Sequence, residues 1–323
     1  MELQITNDKV LIRELRKSDL SDLLNLFPLC FVKELEFSGF DPDHLAGMVN
    51  RAFGRTGTLF LGLLRLFGRE PVKFLVAEAD GRVVGTTIVN DRGKSGYIGT
   101  VMVHPDYRRR GIATKLMTNA IDYIRRRKKT RAILHVESTN SSAKSLYVKL
   151  GFKAFEHVAY FGRETNFQHA LENVSEVKIR EFEKDDLDKV YNLIVASEDP
   201  NSLRIFDFTK KDLKTSFLQR IFRFSTQKKL VALSKGNIVG YVEAHYTTPK
   251  EAGRIDSLHI TSEDKSCDIE KMLMEAANSE IVKGGVKRIR LTTPTTKQEL
   301  IETVKDLGFW EIFIMDAMVA EFH

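Results

Sequence analysis

Cysteine is nearly missing from this chain: its 323 residues carry two, Cys30 and Cys267. Two thiols cannot build a disulfide framework, so a reducing, cytoplasmic setting is expected. The opening residues, Met1-Glu2-Leu3-Gln4, have neither the basic nor the apolar stretch of a secretory signal. No apolar run is long enough to span a bilayer. The longest, Leu59 to Phe67, is interrupted by Gly62 and Arg65 and falls short of the roughly 20 residues such a span needs. No membrane partner is therefore expected. Hydrophobic residues make up 42% and charged residues 29%, which excludes a disordered tail protein and a collagen-like fibre.

A broad basic surface is also lacking, although the net charge is +6. The segment Pro105–Arg131 holds ten Lys/Arg against two Asp, so the rest of the chain is slightly acidic at −2. A general polyanion binder spreads its cations over a face. Here one short segment holds the whole excess, so nucleic acid is not the expected partner and the cations need a local reason.

What the chain does have is a repeat. Over 17 residues from Val10 and from Val177, nine are identical. Leu75-Val76-Ala77 with Gly81 and Gly85 returns as Leu230-Val231-Ala232 with Gly236 and Gly240, and Leu150-Gly151-Phe152 returns as Leu307-Gly308-Phe309. The three offsets are 167, 155 and 157 residues, as expected of a duplication whose loops have changed length. The spacing predicts two domains of one fold, residues 1–170 and 171–323, joined near Gln168–Ser175 and expected to pack as a pseudo-dimer. Each copy reads as mixed α/β, a sheet with helices on both faces. In the first, a strand at Leu11–Glu14 leads into a helix with Ser18 as its N-cap. Asp80-Gly81 turns a hairpin, and a strand ends at Val103. A helix follows with Ile112, Leu116, Met117, Ala120, Ile121 and Ile124 on one face. Residues 31–70 read as helical and irregular, with 37–70 forming either a helix against the core or the other domain, or an amphipathic lid.

The chemistry concentrates in Val101-Met-Val-His-Pro-Asp-Tyr-Arg-Arg-Arg-Gly-Ile-Ala113. Three arginines precede the start of a helix, where free N–H groups already carry partial positive charge. That placement makes little sense for stability and good sense for a bound anion, with Gly111 allowing close backbone approach. The following Arg125–Lys129 run ends the same helix, where cations complement its dipole. Docking to RNA is the other reading of that run.

Arg108, Gly111 and Ala113 fill the Gln/Arg-x-x-Gly-x-Gly/Ala pattern, and the stretch resembles the acetyl-CoA motif of the GNAT superfamily of N-acetyltransferases. Glu137-Ser-Thr-Asn140 and Leu146-Tyr-Val-Lys-Leu-Gly-Phe152 resemble two further blocks of that family, so the likeness covers roughly Leu11 to Tyr160. It implies two tandem GNAT folds and acetyl-CoA as cosubstrate. It implies that the diphosphate rests on the turn built by Arg108, Arg109, Arg110, Gly111, Ile112, Ala113 and Thr114. The pantetheine arm is expected along Val101, Met102 and Val103, near Asn140. Tyr147 would protonate the leaving thiolate. No metal is expected.

Many members place a Glu at the start of the fourth strand, where this chain has Tyr97. Tyr97 with His135 resembles the pair of NatE-type N-terminal acetyltransferases, which act on the amine through water. A lysine acceptor must lose a proton at a cost of about 4.6 kcal/mol at pH 7, an α-amine at about 1–1.4 kcal/mol. A histidine base suits the second, so a peptide or protein N-terminus is the expected acceptor. A small amine and a non-catalytic CoA-sensing module are the alternatives, and Glu137 is an alternative base. In the second copy, the 157-residue offset sets Lys265 against Arg108, Asp268 against Gly111, Glu270 against Ala113 and Val304 against Tyr147. Two carboxylates repel a diphosphate, so that copy is expected to be degenerate and to bind no acetyl-CoA in the usual mode.

Overall fold

A computed structural model describes residues 10–30, 72–165, 177–214, 225–247, 252–261 and 267–322. The segment 37–70 and the linker 168–175 lie outside them. The chain forms two compact units, residues 1–154 with 317–323, and residues 155–316. The boundary thus falls at Ala154, ahead of the expected Ala170, and the last residues return to the first unit.

The first unit begins with β1 (Leu11–Glu14) and α1 (Leu20–Cys30). The hairpin follows as β2 (Val72–Ala79) and β3 (Arg82–Arg92). Its turn residues Asp80 and Gly81 are both left-handed, at φ 52° and 75°, as a tight hairpin turn requires. Then come β4 (Ser95–Val103), α2 (Ile112–Arg126), β5 (Arg131–Glu137) and α3 (Ser141–Lys149). Ser18 does not cap α1. It sits in a 3-10 turn, Lys17–Asp19, whose Asp19 carboxylate accepts the Arg16 amide at 2.6 Å and both Arg13 guanidinium nitrogens at 2.6 and 2.9 Å. The apolar face read from sequence is the buried face of α2: Ile112, Leu116, Met117, Ala120 and Ile124 are at most 1% exposed and Ile121 is 6% exposed.

The second unit repeats the order with β7 (Val177–Glu181), α4 (Leu187–Ser197), α5 (Pro200–Ile205), β8 (Ser225–Ser234), β9 (Asn237–Thr247), β10 (Ala252–Ile260), α6 (Cys267–Lys283), β11 (Arg288–Pro294) and α7 (Gln298–Asp306). The duplication is visible atom by atom. Arg180 grips Asp186 at 2.6 and 2.9 Å, and the Glu183 amide donates to Asp186 at 2.8 Å, which copies Arg13, Asp19 and Arg16. Gly96 and Gly253 both lie where a Cβ would strike an isoleucine, Ile124 at 2.4 Å and Ile281 at 2.3 Å. Thr100 and Ser257 are left-handed at the same place in β4 and β10, φ 55° and 52°. The 157-residue offset is therefore in register across the site-bearing strands.

Each unit is finished by a strand from the other half of the sequence. The sheet orders are β1-β2-β3-β4-β5 closed by the end of β12 (Trp310–Glu321), and β6 (Lys153–Glu164)-β11-β10-β9-β8-β7. Met318 and Ala320 of β12 are in the core of the first unit with Leu116 and Phe152. Ala159 and Phe161 of β6 are in the core of the second with Leu273 and Ile289. This exchange is why the boundary precedes the linker: β6 pairs with β11 over seven residues from Val158↔Pro294 to Glu164↔Arg288.

Candidate functional site

The turn after β4 is built to offer donors. Pro105–Tyr107 form a 3-10 turn entered at His104. Val103 O accepts Arg108 Nε at 3.1 Å and the Cys30 thiol at 3.6 Å, which fixes the start of the arginine run. Arg109 and Gly111 are left-handed, φ 62° and 73°. The step from left-handed Gly111 into the right-handed helix at Ile112 turns neighbouring amides toward one side, as in an anion nest. Gly111 is the N-cap of α2 and brings no capping side chain. The amide of Lys115 bonds Gly111 O at 3.0 Å, so the amides of Ile112, Ala113 and Thr114 precede the first helical bond. A Cβ on Gly111 would meet nothing within 4 Å, which leaves the backbone open to a ligand. The Arg110 guanidinium lies over the Tyr107 ring at 5.3 Å, and its Nη1 is buried without a hydrogen-bond partner. Buried guanidinium donors are ordinarily bonded, and an anion in the turn would satisfy this one.

Beside the turn the sheet opens. The parallel ladder of β4 and β5 runs from Ser95↔Arg131 to Ile98↔Leu134. Beyond it, past the bulge at Thr100, Val101–Val103 continue on the β3 side only. The second unit opens at the matching step, after Ile255↔Leu291. This divergence exposes the edge of β4 as a place where an extended, amide-bearing ligand can add like a strand. Val101 and Val103 are half-buried, whereas the Met102 side chain is buried against Leu23 and Leu26 of α1. Met102 therefore faces the cleft with its backbone alone.

Tyr97 on β4 and His135 on β5 come together below the opening. The Tyr97 hydroxyl and His135 Nδ1 are 2.7 Å apart, and the rings meet edge to face at 5.6 Å. Burial pushes the His135 imidazole down to about 4, so it is neutral at pH 7. The ordinary histidine value lies near 6.5, and desolvation is what separates the two. Tyr147 on α3 is 6% exposed and packs with Phe152, and burial raises its phenol to about 12. Asn140 caps α3, its Oδ1 accepting the Ala143 amide at 3.1 Å. Glu137 ends β5 and accepts the Thr139 hydroxyl at 2.9 Å. The basic run at the end of α2 is tied down locally: Arg127 and Lys129 meet Asp91 at 3.1 and 3.5 Å, and Arg125 lies over Phe322.

His259 on β10 is the second buried histidine. It bonds the Ser197 hydroxyl at 2.9 Å and is pushed down to about 3, chiefly by burial. In the unfolded chain both histidines bind a proton below pH 6.5; in the fold His135 does so only near 4 and His259 only near 3. Their contribution to stability is complete above 6.5 and is lost as pH falls toward 4, by about 3 kcal/mol for each. Thermal melts should drop on the order of 10 °C between pH 7 and 4.5, and His259→Asn should flatten that slope. A flat profile in the unaltered protein would refute the assignment.

Among the described residues no helix is long and apolar enough to cross a membrane. The profile of the Acetyltransferase (GNAT) family matches residues 32–152. An acetyltransferase of Sodalis glossinidius is 34% identical over 99 residues, 31% of this chain and 70% of the relative. The N-terminal acetyltransferase B complex catalytic subunit NAA20 of Arabidopsis thaliana is 33% identical over 138 residues, 40% of this chain and 74% of the relative. A tandem GNAT protein from the clavulanic acid biosynthesis pathway superposes with a TM-score of 0.65 at 16% identity, over 97% of this chain and 98% of its own. A GCN5-related N-acetyltransferase from Sphaerobacter thermophilus gives 0.68 at 18% identity, over 97% and 96%. These two likenesses extend over both units and concern the fold.

Proposed function

Because the chain belongs to the GNAT family of acetyltransferases, with acetyl-CoA as the family's acetyl donor, we propose that its first unit acetylates the α-amine of a peptide or protein N-terminus by direct attack in a ternary complex. The observation that carries this reading is the Tyr97–His135 pair at 2.7 Å, with the imidazole held near pKa 4. The diphosphate of acetyl-CoA lies on the Arg108–Thr114 turn, where the orphaned Arg110 Nη1 supplies a charged donor. Its pantetheine runs along the free edge of Val101–Val103, past Asn140.

The amine lone pair then attacks the thioester carbonyl carbon, the C–S bond breaks, and the amine proton leaves through Tyr97 and His135 to water. His135 does not store that proton, since forming its imidazolium at pH 7 costs about 4 kcal/mol. The acceptor must therefore reach the site already neutral, which costs about 1–1.4 kcal/mol for an α-amine and about 4.6 for a lysine. Tyr147 holds the leaving sulfur. With its phenol near 12, complete transfer to a thiolate of pKa near 8.5 runs uphill by about 5 kcal/mol. Its part is a hydrogen bond to the sulfur, and solvent supplies the proton. The name of the Arabidopsis relative, an N-terminal acetyltransferase subunit, agrees with this acceptor class.

Free-thiol release across peptides, blocked lysine and polyamines tests the reading. A peptide α-amine should exceed a lysine side chain by roughly 200–500-fold in kcat/KM at pH 7, the difference in deprotonation cost. Its rate should climb with pH to a plateau set by the amine near 8, with no inflection near 6.5. A lysine or polyamine turned over equally well would overturn the acceptor; acetyl-CoA bound without turnover on any amine would overturn the enzyme.

A further inference from the structure

The face of the second unit's sheet that corresponds to the Tyr97–His135 face carries different chemistry. By the shared register Arg254 stands in the place of Tyr97, Arg290 in that of Ile133 and Thr292 in that of His135. Two rows of side chains run across this face. One is Gln227, His245, Arg254 and Arg290, paired as Gln227↔His245, Arg254↔His245 and Arg254↔Arg290. The next is Lys229, Glu243, Asp256, Thr292 and Tyr160.

The acids are accounted for. Glu243 accepts Gln227 at 2.6 Å, His245 at 3.0 Å and the Tyr241 hydroxyl at 2.5 Å, with Lys229 at 3.9 Å. Asp256 takes Arg254, with His245 at 3.5 Å. Arg290 is the surplus. Among the described residues its side chain makes no hydrogen bond or ion pair, and its Nε is buried without a partner. It faces a second guanidinium directly across the ladder, an arrangement that costs stability in a sheet. Burial and Arg254 both act against its charge, while Tyr160 and Asp256 act in its favour. Tyr160, itself largely buried, packs its ring against Phe313 at 4.9 Å.

We propose that Arg290, flanked by Arg254 and the Tyr160 hydroxyl, binds the carboxylate of a small organic acid, making the second unit a ligand site in its own right. An orphaned guanidinium fork matches a planar carboxylate in two parallel bonds. Glu243 and Asp256 in the adjacent row repel a dianion more than a monoanion, which favours a carboxylate over a phosphate. The Tyr160–Phe313 ring pair gives the acid's body an apolar wall.

Calorimetric titration of the full chain with benzoate, benzamide and inorganic phosphate tests this. Benzoate should saturate one site, with benzamide and phosphate at least about ten-fold weaker, and Arg290→Leu should lose about ten-fold or more of benzoate affinity. Arg290→Lys keeps the charge without the fork and should lose most of it too. Ligand-free Arg290→Leu should melt at or above the unaltered protein, because an uncompensated repulsion has been removed. Acetyl-CoA titrated into the same samples should bind unchanged, so failure here is separable from failure of the acetyltransferase reading. No saturable benzoate binding, equal binding in Arg290→Leu, phosphate as tight as benzoate, or a large drop in melting temperature in Arg290→Leu would each overturn the proposal.

Discussion

Removing residues 317–323 should unfold the first unit while leaving the whole of the second unit's sequence in place. Ala317, Met318, Val319 and Ala320 are 0, 2, 8 and 4% exposed. Met318 and Ala320 sit in one core with Leu116, Ile124, Leu134 and Phe152, and the Phe322 amide donates to Thr130 O at 2.7 Å. Truncating one buried Met typically costs about 2–5 kcal/mol. Loss of the whole strand also bares the flank of β5 to water and to other chains. Against a total of about 5–15 kcal/mol for a domain, that loss is decisive. The same reasoning applies to a fragment ending at residue 170, which keeps the complete Arg108–Thr114 turn and still lacks its closing strand. Circular dichroism and limited proteolysis of both truncated chains check this, and a first unit that stays protease-resistant across its strands and helices in either would refute it. Met318→Ala, a smaller lesion, should lower stability by about 2–5 kcal/mol without changing the fold.

Substitution of the pair at the mouth of the cleft should remove most turnover and little else. Tyr97→Phe and His135→Ala are each expected to reduce kcat about 10²-fold, the lower end of what a positioned proton-transfer group contributes. KM for acetyl-CoA should stay near its starting value, because the turn that carries Arg108–Thr114 is untouched. The two hydroxyl and imidazole groups touch at 2.7 Å and act through one hydrogen bond, so the double variant should be scarcely worse than either single one. Steady-state kinetics with a peptide α-amine provides the measurement. Full activity in either single variant would remove the relay and leave Glu137 as the group to examine.

Much of this site was legible in advance because it depends on local rules. A glycine where φ is 73°, three arginines before a helix start and an Asp-Gly hairpin are written within a few neighbouring residues. The face of α2 followed from periodicity alone, whereas the pairing of Tyr97 with His135 came from the family resemblance and not from a local rule. Ser18 is no cap because Arg13, six residues before Asp19, recruits Asp19 instead. That competition is settled by the sheet that positions Arg13.

The remainder could be decided only by tertiary structure, since it arises between residues far apart in sequence. The amino-acid order by itself determined the duplication, the glycine-containing turn after the three arginines and the family. Strand exchange was invisible to it, because nothing in Lys153–Glu164 or Trp310–Glu321 specifies which core each strand completes. The proton affinity of His135 depends on how completely the surrounding elements exclude water, a quantity no residue type encodes. Arg254 and Arg290 become neighbours only when two parallel strands pair in one register, and that placement leaves the buried Arg290 Nε without a partner.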